Sequence, residues 1–361
     1  MAVVPVTGVG VYHDSDTSRW HFDQLNNQID CFQSDSKLKD FIASKHSIKL
    51  AGFHVPFPEE KSWVDRVSSL HTHVTHTFIF CSELHQQTID QLIELDNTNT
   101  SIFVCGTIDY QFQHAKVYLW MDWFITTSYF YKHVRPNLIQ DQPNKPYYFD
   151  ILLGCSRTHR DFIFNYVNEK RLHNQVVMTY HRRADLDLRL TGQYIFEEED
   201  CTFLQDLYTH TVNPVEYHGH RMSLSQVVPL KIYSQTYYSV VAETNCYNHF
   251  NFYTEKIVKP ILAGRLFVVF AGKNYLKNLK NLGFKTFDSV IDESYDQQHD
   301  DQSRWAMAMQ QVEYLIAADP TKIRNQIKHI VKHNQNHMLE FDWYGSFSQQ
   351  LEQVIARTIA G

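Results

Sequence analysis

The tetrad Tyr253-Thr254-Glu255-Lys256 sets a carboxylate, an ammonium and two hydroxyls at the predicted start of a helix. Side chains of these types can hold a phosphorylated ligand. The N–H groups at a helix N-terminus attract phosphate. A lysine there opposes the macrodipole by roughly 0.3–1 kcal/mol, a cost that an anion in front of the helix removes. Lys256 would then face a diphosphate, and Glu255 would accept hydrogen bonds from sugar or ribose hydroxyls. An isolated Thr-Glu-Lys is ordinarily a surface pair, so its neighbours decide the reading. Before it, the β-rich run Tyr237–Ala242 ends in a short polar stretch carrying Glu243; after it come an Ala-Gly turn and the apolar run Leu266–Phe270. Strand, helix and strand in that order make a nucleotide-binding layout.

A second set of candidates precedes this one. Tyr148–Leu153 reads as a strand, and Gly154–Arg160 as the turn into a helix. That is where α/β sheets bind ligands. Arg157 and Arg160 can each offer phosphate oxygens a bidentate fork, which lysine cannot copy. Pro260 disturbs the tetrad's helix, because an interior proline loses a hydrogen bond and clashes with the preceding turn. The regular helix is therefore expected to begin nearer Ile257, with 253–256 as an irregular lead-in.

The elements that must position these groups alternate between strand and helix, which argues for an α/β fold. Ile48–Phe53, Thr77–Cys81 and Ser101–Cys105 read as strands. Ser82 looks like the cap of a helix carrying Leu84, Leu92 and Leu95. A polar stretch with Pro143 and Pro146 reads as an inter-domain linker. Beyond it, Val176–Tyr180 and Phe284–Phe287 are further expected strands. Trp305–Ala317 and Pro320–His333 are expected helices, the second capped by Asp319. Phe347, Leu351, Val354 and Ile355 mark a last amphipathic helix. The expectation is two Rossmann-like domains, residues 1–145 and 146–335. A helical segment, 336–361, follows and crosses back to the first.

Composition excludes several classes. At 43% hydrophobic and 20% charged, the 361-residue chain is an ordinary globular protein. Its net charge is −7, and residues 1–146 carry 11 basic against 16 acidic side chains. Extended nucleic-acid binding is therefore disfavoured. The apolar runs are too short to span a membrane. Six scattered cysteines without a CxxC pair point to reduced thiols and a cytoplasmic location. The His71/His73/His76 and His218/His220 groups lack a carboxylate at matching spacing and are discounted as zinc sites. Asp185-Leu186-Asp187 is too short to establish a metal site, and Gly8-Val9-Gly10 lacks the third glycine of a dinucleotide fingerprint. The aromatic run Tyr118–Tyr131 reads as a buried helix face.

The combination E-T-N at 243–245, F-Y-T-E-K at 252–256 and I-L-A-G-R-L-F-V-V at 261–269 resembles the donor-binding signature of the α1,3-fucosyltransferase-like family. The resemblance is concentrated in residues 236–287. It implies an inverting, metal-independent glycosyltransferase of the GT-B fold, with two Rossmann-like domains facing a cleft, that uses a GDP-sugar and no cofactor. It also implies donor-site roles for Glu243, Glu255 and Lys256, and for one of Arg157 and Arg160. Phe252 stands where the family has tyrosine, which leaves the Tyr253 hydroxyl, one residue on, to serve there. Thr244-Asn245 replaces the usual Asn-Ser.

Inversion needs a base to deprotonate the acceptor hydroxyl. The first domain offers Asp109 and Glu83, each after a predicted strand, with Glu59, Glu60 and Asp122 as rivals. The acceptor could be a glycan, a lipid-linked sugar or a modified DNA base, the last least favoured by charge. The alternative from another class is a catalytically inactive nucleotide- or sugar-binding module with a structural role, which only turnover would separate from an enzyme.

Overall fold

The computed structural model describes residues 9–12, 30–32, 50–55, 64–65, 68, 76–81, 86–133, 138, 144–180, 201–203 and 214–360. They form two compact units: residues 1–126 with 342–361, and residues 127–341.

In the first unit, β1 (Val9–Tyr12), β2 (Asp30–Phe32), β3 (Leu50–Val55), β4 (His76–Cys81) and β5 (Thr100–Val104) precede a short strand, β6 (Gly106–Ile108), and β7 (Lys116–Leu119). The six-stranded sheet has the order β2-β1-β3-β4-β5-β7, and every pairing in it is parallel. Parallel strands are covered on both faces, so they read as unbroken apolar runs. Phe78, Ile79, Phe80 and Cys81 on β4, and Ile102, Phe103 and Val104 on β5, are accordingly all buried. Helix α1 (Gln86–Glu94) makes the crossover between those strands and buries Ile89 and Leu92. Ser82, Glu83 and Leu84 lie outside the described residues. The aromatic run expected as one helix face is divided: 116–119 extend the sheet, and α2 (Asp122–His133) begins only after Trp120. Pairing of Lys116–Leu119 with Ser101–Val104 decides this locally.

In the second unit, β8 (Tyr147–Leu153), α3 (Thr158–Glu169) and β9 (Val176–Tyr180) form one βαβ turn. The short strands β10 (Cys201–Phe203), β11 (Pro214–Tyr217) and β12 (His220–Ser223) make a separate antiparallel sheet. Then follow α4 (Leu230–Gln235), β13 (Thr236–Ala242), the short β14 (Phe250–Phe252), α5 (Glu255–Leu262), β15 (Phe267–Phe270), α6 (Tyr275–Asn281), α7 (Asp301–Ala317) and α8 (Pro320–Glu340). The main sheet is parallel throughout, in the order β15-β13-β8-β9. The chain moves from β8 to one neighbour, β9, and later places β13 on the other side. That reversal makes the β8/β13 junction a topological switch point, where open α/β sheets take ligands.

Phe284–Phe287 is not a strand. Asn334, on α8, receives the Lys285 N–H at 2.8 Å and donates to the Lys285 carbonyl at 2.8 Å, while Glu293 accepts the Phe287 N–H at 2.6 Å. Side chains take the place of a ladder. Asn334→Ala should therefore cost about 1–3 kcal/mol, since it strands two backbone groups of one residue. Urea unfolding measures this; a change within 0.5 kcal/mol, on the order of an ordinary surface substitution, would contradict it.

Asp319 caps α8 as expected, accepting from the Thr321 and Lys322 N–H groups, with Pro320 in the first turn. The last helix, α9 (Trp343–Ala360), belongs to the first unit. Its Phe347, Leu351, Val354 and Ile355 pack in one core cluster with Phe78, Phe80, Phe103 and Trp120.

Candidate functional site

The site is assembled from the segments that leave β8 and β13 at the switch point. After β8 the chain turns through Gly154, Cys155 and Ser156 into α3, with Arg157 at the N-cap. No side chain caps this end, so the first N–H groups of the helix are not taken by an N-cap side chain. Arg157 is exposed, whereas Arg160 folds back and is buried. Its Nη1 donates to the Cys155 carbonyl at 2.9 Å, and its Nη2 to the Glu243 and Ala242 carbonyls at 2.8 and 3.3 Å. Gly154 permits this, because a Cβ there would sit 3.1 Å from Nη1.

His159, also buried, bonds the Glu243 carbonyl through Nε2 at 2.9 Å. Burial, then the Arg160, Arg157 and Lys256 charges, push its pKa down to about 3 against the opposing Glu243 hydrogen bond. The ring is thus neutral near pH 7, and because a carbonyl only accepts, its proton sits on Nε2. Arg160 and His159 together stitch the start of α3 to the end of β13.

From β13 the chain enters Glu243, whose carboxylate is fully buried. Its Oε2 accepts from Thr254 Oγ1 at 2.6 Å, and its Oε1 from the Tyr275 hydroxyl at 2.7 Å. Burial raises its pKa, opposed by the Lys256 charge and these hydrogen bonds. Thr254 caps α5 by accepting the Lys256 N–H at 3.2 Å. The helix begins at Glu255 with Pro260 inside it, so the expected irregular lead-in is corrected. In a two-turn helix the proline ring forfeits only the bond to the Lys256 carbonyl, and the cap holds the first turn. The Ala-Gly turn ends it, with Gly264 at φ 63°, the left-handed position that glycine takes at no steric cost.

Glu255 is buried and Lys256 is partly exposed, their side chains 6% and 23% accessible. Lys256 Nζ lies 2.7 Å from Glu255 Oε1 and within 3.4 Å of the Thr244 and Thr254 hydroxyls. Burial alone would raise the Glu255 pKa, but Lys256 and Lys259 overcome it and hold the carboxyl below its ordinary value. Tyr253 is internal: its hydroxyl donates to the Tyr275 carbonyl at 3.3 Å.

The structure thus gathers all six donor-site candidates in one unit but divides their roles. Arg157 and Lys256 reach solvent, and Glu255 lies just behind Lys256. Arg160, Glu243 and Tyr253 are buried and tie the segments together. His159, Tyr275 and Lys259 belong to the same group and carry no local motif that would mark them in the sequence. Asp109 is exposed in the first unit, directly after β6, and Asp122 is buried in the first turn of α2. Glu83, Glu59 and Glu60 lie outside the described residues, as do Asp185 and Asp187. His76, from one discounted histidine group, is buried against the Ser101 hydroxyl at 2.9 Å. Among the described residues no three His, Cys, Asp or Glu side chains are grouped to hold a metal ion. No helix among them is long and apolar enough to cross a membrane.

Fold and site together define an α/β protein with two parallel, Rossmann-like sheets, the second bearing a cationic switch point. Comparisons with family models, with curated proteins and with solved structures each found no match to this chain.

Proposed function

We propose that this protein is a glycosyltransferase of the GT-B class. It moves a sugar from a nucleotide diphospho-sugar, GDP-linked by preference, to a hydroxyl acceptor, with inversion and without a metal. One observation supports this above the rest: the uncapped N-terminus of α3 and the N-terminus of α5 meet at the switch point, with Arg157 and Lys256 as its solvent-reaching cations. Helix N-termini and fixed cations stabilise charge that develops on a departing diphosphate. In the proposed step a base takes the acceptor proton, the acceptor oxygen bonds to the anomeric carbon, and the bond from that carbon to the diphosphate breaks. Glu255 accepts hydrogen bonds from the sugar or ribose hydroxyls. Asp109 and Glu83 are the candidates for that base.

Incubation with a panel of nucleotide-sugars, with and without glycan acceptors, should release GDP in preference to UDP. No release, together with no thermal stabilisation by any nucleoside diphosphate, would sink the proposal. Lys256→Ala should weaken GDP binding by about 1.5–3 kcal/mol, the range for a hydrogen bond to a charged group. Isothermal titration measures it, and an unchanged affinity would show that this lysine does not meet the diphosphate.

A further inference from the structure

The Lys256 ammonium poses a difficulty for any ligand that approaches the switch point. It is already held by Glu255 at 2.7 Å. Drawn onto a diphosphate, it would leave a buried carboxylate without its ion-pair partner, and a buried carboxylate in that position takes up a proton. A protonated Glu255 accepts hydrogen bonds more weakly than a carboxylate does.

Lys259 is placed to prevent this. It lies four residues after Glu255 on α5, so both share one helix face, and helix side chains lean towards the N-terminus. Lys259 is 8% exposed, and among the described residues no carboxylate lies within ion-pair distance of its ammonium. The charged groups acting on it are Glu255 and Lys256 from its own helix, Asp150 from β8 and Glu243 from the end of β13. Neighbouring α8 places Gln335 against α5, donating to the Leu262 carbonyl at 2.7 Å, and the turn Leu224–Gln226 brings no charge. Glu255 is the strongest of the attractions.

We propose that Lys259 is a positioning residue of the donor site: from one turn further along α5 its charge supports the Glu255 carboxylate, so that Lys256 can turn to the ligand's diphosphate while Glu255 stays ionised. The inference rests on the donor-site reading above. Burial, against the attraction of Glu255, brings the Lys259 pKa down to about 8. Its charge is therefore present at neutral pH and lost as pH rises through that value.

Two measurements test this, one of which needs no ligand. In the ligand-free protein, carboxyl-carbon NMR of Glu255 at pH 7 should show a carboxylate in the wild type and in Lys256→Met. The doubly substituted Lys256→Met, Lys259→Met protein should show a carboxylic acid. A carboxylate persisting in the double variant would overturn the role of Lys259 whatever the site binds. The second measurement is GDP titration between pH 6 and 10. Wild-type affinity should fall above about pH 8, Lys259→Arg should keep its affinity to pH 10, and Lys259→Met should bind at least about ten-fold more weakly at pH 7. The same fall surviving in Lys259→Arg would overturn the proposal, as would wild-type affinity in Lys259→Met. Failure of GDP to bind the wild type at any pH, with the NMR result as expected, would overturn the donor-site reading and leave the support of Glu255 by Lys259 standing.

Discussion

Arg265→Met should destabilise the second unit by about 3–5 kcal/mol, the cost of leaving one partner of a buried ion pair uncompensated. Arg265 lies just ahead of β15 and is 6% exposed; Asp150, in the middle of β8, is 2% exposed. Arg265 Nη2 meets Asp150 Oδ1 at 2.7 Å and also donates to Thr236 Oγ1 and the Tyr238 carbonyl, each at 2.8 Å. Nη1 serves the Tyr233 and Thr236 carbonyls at 3.0 and 2.8 Å, Nε serves Ser239 Oγ at 2.9 Å, and the guanidinium stacks 4.2 Å from the centre of the Tyr233 ring. One side chain thus joins β8, the start of β13 and the approach to β15. Lysine has three donors and no planar fork, so Arg265→Lys should recover little.

The pH dependence gives a second check on the same residue. Burial raises the Asp150 pKa and the Arg265 charge opposes the rise. Without Arg265 the folded-state pKa climbs further above the unfolded value, a penalty that grows as pH rises above the unfolded pKa and vanishes as pH falls below it. The stability gap between wild type and Arg265→Met should therefore narrow from pH 7 towards pH 4. Urea unfolding followed by circular dichroism at several pH values reads both effects. A gap below about 1 kcal/mol at pH 7, or one that widens on acidification, would show that the pair is not the tie described.

The legible parts of this chain are those that local chemistry settles. Val176–Tyr180, Val-Val-Met-Thr-Tyr, is rich in β-forming residues and forms the strand expected of it, and Asp319-Pro320 starts a helix because cap and first turn need only adjacent residues. What escaped depends on distant partners. Phe284–Phe287 has the composition of a strand, yet its backbone is served by Asn334, about fifty positions away in sequence. Glu243 follows a strand and could as well have faced a ligand; its use is decided by Thr254 and by Tyr275, 32 positions on. Arg157 and Arg160, three residues apart, look equivalent as phosphate forks. The fold separates them, because only the second lies on the face of α3 that meets β13. Lys259 reads as an ordinary helix lysine until its burial is known. The switch point could not be read either, since it depends on which side of β8 the third strand lands.

Phe347→Ala should cost about 3–5 kcal/mol, the range for removing a buried aromatic ring from a packed core. The ring is 4% exposed and meets three others: Phe103 at 5.7 Å and Phe80 at 6.4 Å edge-on, and Trp120 at 6.1 Å. Phe78 and Phe80 are two apart on β4 and so share a face of the sheet, the face that α9 covers. Phe347, Leu351, Val354 and Ile355 recur at helical spacing and supply that cover. Residues from the far end of the chain therefore complete a core begun before residue 126, and neither part buries its apolar surface alone. With two compact units, unfolding is read as two transitions rather than one. Phe347→Ala should move the first unit's transition and leave that of residues 127–341 in place, as should truncation after Phe341. The two transitions can be assigned with Arg265→Met, since the hydrogen-bond partners of Arg265 lie in the second unit. If Phe347→Ala shifted that second transition, or shifted neither, the last helix would not be a structural part of the first unit.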